Sequence, residues 1–184
     1  MKSGSVMGAT AAQRRGRGKG LTGASIGRQR GLRSLGQSRR EALAEIITAR
    51  GQISIAEASV EEIDRLNILR ASHLAMERAV AGLNAVPDHL LIDGSQLPKG
   101  LEIPAEAVVR GDAKSQSIAA ASIVAKVHRD RVMAELAARY PGYGWESNAG
   151  YVTQAHKAAL ISLGVTPHHR RSFAPVRLAL EAVR

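Results

Sequence analysis

Two short stretches, Leu90-Leu91-Ile92-Asp93-Gly94 and Val108-Val109-Arg110-Gly111-Asp112-Ala113-Lys114, decide how the rest of the chain is interpreted. Each begins with apolar residues and reaches an aspartate beside a glycine, which is typical of a buried strand at the point where it leaves a sheet. In open α/β sheets, binding sites are built at these carboxyl ends of the strands. The pattern therefore predicts that Asp93 and Asp112 lie at strand ends, close to each other.

The two aspartates have two interpretations. Carboxylates that are brought together repel each other unless a proton or a cation lies between them, and Mg²⁺ and Mn²⁺ prefer oxygen ligands. A metal site is the first interpretation. The second is an ordinary turn, because an Asp-Gly pair after a strand lets glycine supply a positive φ. Either stretch alone leaves both interpretations open.

Charged residues divide the chain into two parts. Residues 1–40 contain ten of the 26 Lys and Arg residues and none of the 16 Asp and Glu residues, so the net charge of +10 comes from this segment. Residues 1–37 are predicted to be a disordered, Gly- and Arg-rich segment, because their few large apolar side chains cannot offset the entropy lost on ordering. Such an arm either binds nucleic acid through its phosphates or is a solvated tail.

Composition limits the remaining classes of protein. The chain has no cysteine, which excludes disulfides and thiolate metal sites. No apolar run reaches the length of a membrane span, and the N-terminus lacks the apolar core of a secretory signal. At 184 residues, we expect one domain over residues 38–184, in a cytoplasmic protein that is monomeric and has no membrane partner.

Several motifs follow Asp112 along the chain. Asp112-Ala113-Lys114 leads into the Ala-rich segment 117–130, and the later motifs are Tyr140-Pro141-Gly142-Tyr143, Gly150-Tyr151-Val152-Thr153 and His168-His169-Arg170-Arg171-Ser172-Phe173. In this order and spacing, from about Ser38 to the C-terminus, the chain resembles ribonuclease HII, the type 2 ribonuclease H. The resemblance implies an α/β protein with an RNase H-like fold, in which helices flank a mixed sheet and a C-terminal helical region binds the substrate.

The resemblance also implies a reaction. Members of this family are endonucleases that cut the RNA strand of RNA–DNA hybrids and DNA that contains single ribonucleotides, which implies roles in DNA replication and repair. They use two divalent ions, Mn²⁺ or Mg²⁺, held by four carboxylates. By this resemblance Asp93 is the third carboxylate and Asp112 the fourth, so both are predicted to be catalytic metal ligands.

Four more residues are candidates for substrate binding. Tyr151 resembles the tyrosine that packs against the sugar at the RNA–DNA junction, a way of sensing the 2′-hydroxyl. Lys114, beside the fourth carboxylate, is expected to neutralise phosphate charge. Arg170 and Arg171 are expected to contact either phosphate or the last helix. Asp64, by contrast, is predicted to be structural.

The beginning of the family pattern is absent. The family opens with a strand that carries Asp-Glu-x-Gly-Arg-Gly, whereas Gly16-Arg17-Gly18 is preceded by Gln13 and Arg14 at the acidic positions. The first strands are therefore predicted to be missing or replaced by the disordered basic arm, and our hypothesis is that residues 1–37 come from a shifted reading frame or a misassigned start. With two of four carboxylates absent, we predict no measurable nuclease activity. The alternative function is a non-catalytic nucleic-acid-binding remnant.

Capping signals and apolar periodicity predict the remaining elements. They are a helix over 39–50 with Ser38 as N-cap, a strand over 52–58, one helix from Ser59 to about Leu83, a helix over 115–140, a helix from Thr153 to about Leu163, and a last helix over 174–183.

Overall fold

The structure is a computed structural model that describes residues 6–12 and 35–182. The described strands are β1 (Val6–Ala12), β2 (Gln52–Ala58), β3 (Leu90–Asp93) and β4 (Ala105–Val108). The described helices are α1 (Gln37–Arg50), α2 (Val60–Leu66), α3 (Ile68–Ala81), α4 (Gly111–Lys114), α5 (Gln116–Arg139), α6 (Trp145–Asn148), α7 (Gln154–Ser162) and α8 (Ala174–Ala182). This content of helices and strands confirms the predicted α/β class.

The described strands form two small sheets, one of β1 and β2 and the other of β3 and β4. Strands β3 and β4 run parallel, and Asp93 pairs in register with Val108. Strand β3 buries Leu90 and Ile92 but exposes Leu91, so the predicted burial of this strand is found on one of its two faces. The carboxyl ends of both strands lie at the same edge of this sheet.

Strand β4 ends earlier than the sequence pattern predicts. It stops at Val108, four residues before Asp112, whereas the apolar run continues through Val109. The chain turns at Arg110, whose φ of 56° lies in the left-handed region and cannot continue a strand. Asp112 therefore lies in the short helix α4 that follows the strand, while Asp93 is the last residue of its own strand.

Strand β1 lies within the segment for which disorder is predicted. Val6–Ala12 carries no charged side chain, in contrast to the Arg-rich stretch that begins after Gln13. The part of the N-terminal segment that pairs with β2 is therefore uncharged, so repulsion between like charges does not oppose its folding into a strand. Residues 1–5 and 13–34, which contain most of the predicted basic arm, lie outside the described residues.

The single helix predicted after Ser59 is two helices. The predicted capping box is present, because Ser59 Oγ accepts the Glu62 N–H at 3.2 Å and the Glu62 carboxylate accepts the Ser59 N–H at 2.8 Å. Helix α2 then stops at Asn67, which has a φ of 70°. Asn67 Oδ1 accepts two N–H groups in the first turn of α3, at 3.0 and 3.2 Å. Asparagine tolerates the left-handed backbone and caps helices, so it interrupts an unbroken apolar pattern.

Of two further N-caps predicted from the sequence, one is correct and one is wrong. Thr153 Oγ1 accepts the His156 N–H at 3.1 Å and begins α7, as predicted. At α1 the N-cap is Gly36, without a side-chain bond, and Ser38 lies inside the first turn. The prediction of Ser38 as N-cap is therefore wrong by two residues, a usual error for helix boundaries.

The chain divides into two compact units, and each has an apolar cluster of its own. The first unit includes residues 58–71 and 128–182, and the second includes the described residues of 7–57 and 72–127. The buried cluster of the first unit contains Met133, Leu136, Tyr143, Trp145, Ala159, Leu160, Val176 and Ala179. That of the second contains Ala44, Ile47, Ala120, Ile123, Val124 and Val127. None of the described helices is both long and apolar enough to cross a membrane.

Candidate functional site

The carboxylate pair, Asp93 and Asp112, belongs to the second unit. The Asp93 side chain is exposed, and its Oδ1 accepts a hydrogen bond from the Gly111 N–H at 2.8 Å. Because Gly111 directly precedes Asp112 at the start of α4, the Asp93 carboxylate is bonded to the backbone next to the second aspartate. The hydrogen bond orients one carboxylate oxygen, and the second oxygen can still coordinate a cation.

Gly111 permits this close approach. It is buried, and a Cβ at this position would overlap the side chain of Ile118 and lie 3.3 Å from Asp93 Oδ1. Any larger residue would have to displace the Asp93 carboxylate or Ile118. The spacing between β3 and the start of α4 therefore depends on a residue without a side chain.

The donor set suits a hard divalent cation but is small. Two carboxylates offer oxygen ligands of the kind that Mg²⁺ and Mn²⁺ bind, and Lys114 is exposed at the end of the same short helix. In residues 6–12 and 35–182, no group of three or more His, Cys, Asp or Glu side chains is placed to hold a metal ion. The residues present thus fit part of a ligand set for dications, namely Asp93 and Asp112.

Tyr151 belongs to the first unit, where it follows α6 with 46% of its surface exposed. Hydrogen bonds fix the backbone before it. Arg129 Nη2 donates to the Ala149 carbonyl at 3.1 Å, and Asn148 Oδ1 accepts the Gly150 N–H at 2.8 Å. Ala149 itself has a φ of 45°, in the left-handed region. The loop therefore presents an exposed aromatic ring on a backbone that is already held.

A buried aromatic–histidine cluster, made of Tyr143, Trp145, His156 and His169, lies in the same unit. The centroids of its rings are 5.0 to 6.3 Å apart. Two hydrogen bonds end on the Tyr143 carbonyl, one from Asn148 Nδ2 at 3.0 Å and one from His156 Nδ1 at 3.1 Å. The cluster therefore supports the loop that carries the exposed tyrosine.

His169 is held in its neutral form. Its Nδ1 accepts the Thr166 N–H at 3.0 Å, which leaves the proton of the neutral ring on Nε2. Burial, followed by the charge of neighbouring His156, lowers the pKa of His169 to about 4. In the described part of the chain, Nε2 has no hydrogen-bond partner. This histidine packs against the other rings of the cluster and hydrogen-bonds to Thr166 outside it.

The two predicted arginines differ in exposure. Arg170 is only 5% exposed, and its guanidinium carbon lies 5.3 Å from the centroid of the Phe173 ring. Phe173 directly precedes α8, so the predicted contact of Arg170 with phosphate or with the last helix stays a prediction. Arg171 is exposed, as a phosphate contact requires.

The sequence indicates no hydrogen-bond partner for Asp64, whereas in the structure its carboxylate accepts hydrogen bonds from two residues. Its Oδ2 accepts the Arg171 N–H at 2.8 Å, and its Oδ1 accepts the Ser172 N–H at 3.0 Å and a bond from the Ser172 hydroxyl. Arg171 lies 107 residues further along the chain. No local pattern could reveal the pairing, although an Asp on the polar face of a capped helix is a reasonable place to look.

Comparison with known proteins identifies the same family as the sequence motifs. A family model described as ribonuclease HII matches residues 33–176. The chain belongs to the ribonuclease HII family. A ribonuclease HII of Ruegeria pomeroyi is 66% identical over 148 residues, which cover 80% of this chain and 63% of the relative. One of Paracoccus denitrificans is 62% identical over 148 residues, which cover 80% of this chain and 70% of the relative. The chain thus spans about two thirds of the length of these relatives.

Solved structures of this family and its neighbours share the fold. The ribonuclease H2 from Pyrococcus horikoshii OT3 is similar with a TM-score of 0.75 at 22% identity, covering 97% of this chain and 98% of that one. Bst-RNase HIII in complex with Mn²⁺ has a TM-score of 0.68 at 16% identity, covering 100% of this chain and 71% of that one. At these identities the likeness concerns the fold, and it confirms the predicted RNase H-like architecture.

Proposed function

We propose that Asp93 and Asp112 are part of a two-metal nuclease site that hydrolyses the RNA strand of RNA–DNA hybrids and cuts DNA at embedded ribonucleotides. The observation that carries this proposal is the hydrogen bond from the Gly111 N–H to Asp93 Oδ1, next to Asp112. It joins Asp93, the last residue of β3, to the residue before Asp112 in α4, which follows the parallel strand β4, and α/β proteins build their sites at the carboxyl ends of such strands. Membership of the ribonuclease HII family supports the choice of substrate.

Each proposed residue has a separate task. When bound, Mn²⁺ or Mg²⁺ supplies an activated water and stabilises the leaving 3′ oxygen. Asp93 and Asp112 hold the dications, and the bond to Gly111 keeps the first carboxylate in one orientation. Lys114, exposed on α4, neutralises phosphate charge. The exposed ring of Tyr151 packs against a sugar and senses whether the 2′-hydroxyl is present.

The unmodified chain should have no measurable nuclease activity. Two dications concentrate four positive charges, which two carboxylates balance only in part, and residues 1–40 contain no Asp or Glu. The affinity of Asp93 and Asp112 for the metal ions would therefore be low, and two carboxylates alone would orient the ions poorly. Because a misplacement of 1 Å can cost about 100-fold in rate, we expect cleavage to be at least ~100-fold slower than in a complete relative.

A second candidate function is binding without cleavage. It is favoured by the ten Lys and Arg residues in residues 1–40, together with the exposed Tyr151 on its fixed loop. Cationic segments of this kind bind the nucleic-acid backbone without sequence preference and lose affinity as salt rises. The chain would then be a nucleic-acid-binding remnant of the nuclease.

A chimera tests both candidates. The N-terminal part of the Ruegeria pomeroyi relative is joined to residue 38, and the chimera and the unmodified chain are assayed on a DNA duplex with one ribonucleotide, with Mn²⁺ or Mg²⁺. We expect the chimera to cut, leaving 3′-hydroxyl and 5′-phosphate ends, and Asp112→Asn to abolish cutting. Asp88→Asn, at an exposed aspartate outside the carboxylate pair, should keep the activity.

Two results would contradict the proposal. Rapid cleavage by the unmodified chain would refute the predicted loss of activity. A chimera that unfolds cooperatively on heating, and hence is folded, but fails to cut with either metal would refute the nuclease proposal. Binding of the duplex by the unmodified chain at low salt, without cleavage, supports the second candidate for this chain.

A further inference from the structure

Asp64 fixes the backbone at Arg171 and Ser172. Its two carboxylate oxygens accept the N–H groups of these consecutive residues at 2.8 and 3.0 Å, and Oδ1 also accepts the Ser172 hydroxyl. The carboxylate thus holds the turn from both of its oxygens. Donors from consecutive backbone N–H groups form the kind of concave site that binds anions, and here the anion is a side chain of the same protein.

The carboxylate stays ionised in this position. Burial raises the pKa of Asp64, but the hydrogen bonds from Ser172 and Arg171, with the nearby charge of Arg170, outweigh it, so that the pKa lies below its usual value. An ionised acceptor makes stronger hydrogen bonds than a neutral one. The turn is therefore held by charge-assisted bonds throughout the neutral pH range.

The element that carries Asp64 is itself well defined. The capping box of Ser59 and Glu62 begins α2, and the left-handed Asn67 ends it. On the other side of the turn, the Phe173 N–H donates to the Arg170 carbonyl at 3.1 Å, and α8 begins at Ala174. The backbone at residue 171 is thus fixed from both directions, while the Arg171 side chain is exposed.

We propose that Asp64 is a positioning residue for Arg171 and that the guanidinium of Arg171 binds a phosphate of the nucleic-acid backbone; this rests on the proposed function. Arg170 turns into the protein, onto Phe173, so the neighbouring Arg171 is the arginine of this turn that can reach a ligand. A fixed backbone lowers the entropy lost when a long side chain is immobilised on a phosphate. Arginine matches phosphate with two parallel hydrogen bonds.

Binding measurements on four versions of the full chain test the proposal. The versions are the unmodified chain, Arg171→Ala, Asp64→Asn and the double variant, and the readout is the affinity for an RNA–DNA hybrid over a series of salt concentrations in Ca²⁺. Removing one phosphate contact lowers the slope of log affinity against log salt by about one. We expect Arg171→Ala and Asp64→Asn each to lower the slope by this amount. In the double variant the two losses should coincide rather than add.

Controls separate position from charge and folding. Glu61→Gln removes the same charge from an exposed side chain of α2 and should leave the slope unchanged. Ser172→Ala keeps the carboxylate and loses only the hydroxyl bond, so it should have a smaller effect than Asp64→Asn. Hydrogen exchange reports directly on the turn, because the amides of Arg171 and Ser172 should lose protection in Asp64→Asn.

The outcomes distinguish this inference from the proposed function. A slope that falls in Arg171→Ala but not in a folded Asp64→Asn would overturn the role of Asp64, as would losses that add in the double variant. If even the unmodified chain fails to bind the hybrid, the phosphate contact and the second candidate function are overturned, while cleavage by the chimera separately decides the nuclease proposal. Coincident losses, with unprotected amides at residues 171 and 172, support the proposal.

Discussion

The carboxylate pair and the aromatic–histidine cluster differ in solvent exposure and in the interactions of their side chains. Asp93 is exposed, and the described contact of its carboxylate is one hydrogen bond to the backbone at Gly111. In the cluster, every side chain is at most 5% exposed, and the ring centroids lie 5.0 to 6.3 Å apart. The first region has negative charge that needs a partner from solution. The second is held together by packing, and in the described part of the chain Trp145 Nε1 and His169 Nε2 are buried without a hydrogen-bond partner. Its stability therefore depends on the shapes of the side chains and on the protonation of His169.

Removing the largest side chain of the cluster should produce the largest effect. Trp145 is 1% exposed, so Trp145→Ala leaves a cavity and should lower the free energy of unfolding by roughly 3–5 kcal/mol. Val109, beside the carboxylate pair, is 55% exposed, and Val109→Ala should change it by less than ~0.5 kcal/mol. Urea unfolding followed by circular dichroism measures both. Equal losses in the two variants would show that the two regions do not differ in packing.

Acid should weaken the cluster through His169. The pKa of this side chain in the folded protein is about 4, below its ordinary value of 6.5. Between these values the unfolded chain binds more protons than the folded one. The stability that the neutral ring contributes is therefore complete above pH 6.5 and is lost as the pH falls to 4. The loss should be roughly 3 kcal/mol at most, since one pKa unit corresponds to ~1.4 kcal/mol.

The measurement compares two histidine variants between pH 7 and pH 4. His169→Gln keeps an acceptor for the Thr166 N–H, costs stability at neutral pH, and should show a shallower dependence of unfolding free energy on pH than the unmodified chain. His89→Gln, at an exposed histidine, should leave the dependence as it is. If both variants follow the unmodified chain, the neutral buried ring is not the source of acid sensitivity.

Local signals in the sequence predicted much of the fold correctly. The strand Gln52–Ala58, the capping box at Ser59 and the cap at Thr153 are all present, because each depends on residues within four positions of one another. The failures are also local. Arg110 and Asn67 adopt the left-handed backbone, which no apolar pattern reveals, and they shortened one strand and divided one helix.

The residues of the candidate site could be proposed from motifs, but their contacts could not. Asp93 and Asp112 are candidates because each follows an apolar run, whereas the bond between the Asp93 side chain and the Gly111 N–H joins residues 18 positions apart. The pairing of Asp64 with Arg171 spans 107 positions. Such contacts depend on tertiary packing. The local hydrophobic periodicity of a single sequence does not reveal them.

The smallest effect should come from relieving backbone strain, for which each region offers one position. Arg110, beside the carboxylate pair, and Ala149, in the loop before Tyr151, both have a positive φ. A left-handed conformation costs a residue with a Cβ roughly 1–2 kcal/mol, while glycine loses roughly 0.5–1 kcal/mol more entropy on folding. Ala149→Gly and Arg110→Gly should therefore each raise the free energy of unfolding by about 0.5 kcal/mol. Thermal unfolding of the two variants tests this, with Ala134→Gly, an exposed position in the interior of α5, as the control that should lose stability. A loss of stability in Ala149→Gly would mean that the entropy that glycine loses on folding outweighs the strain relieved by removing the Cβ.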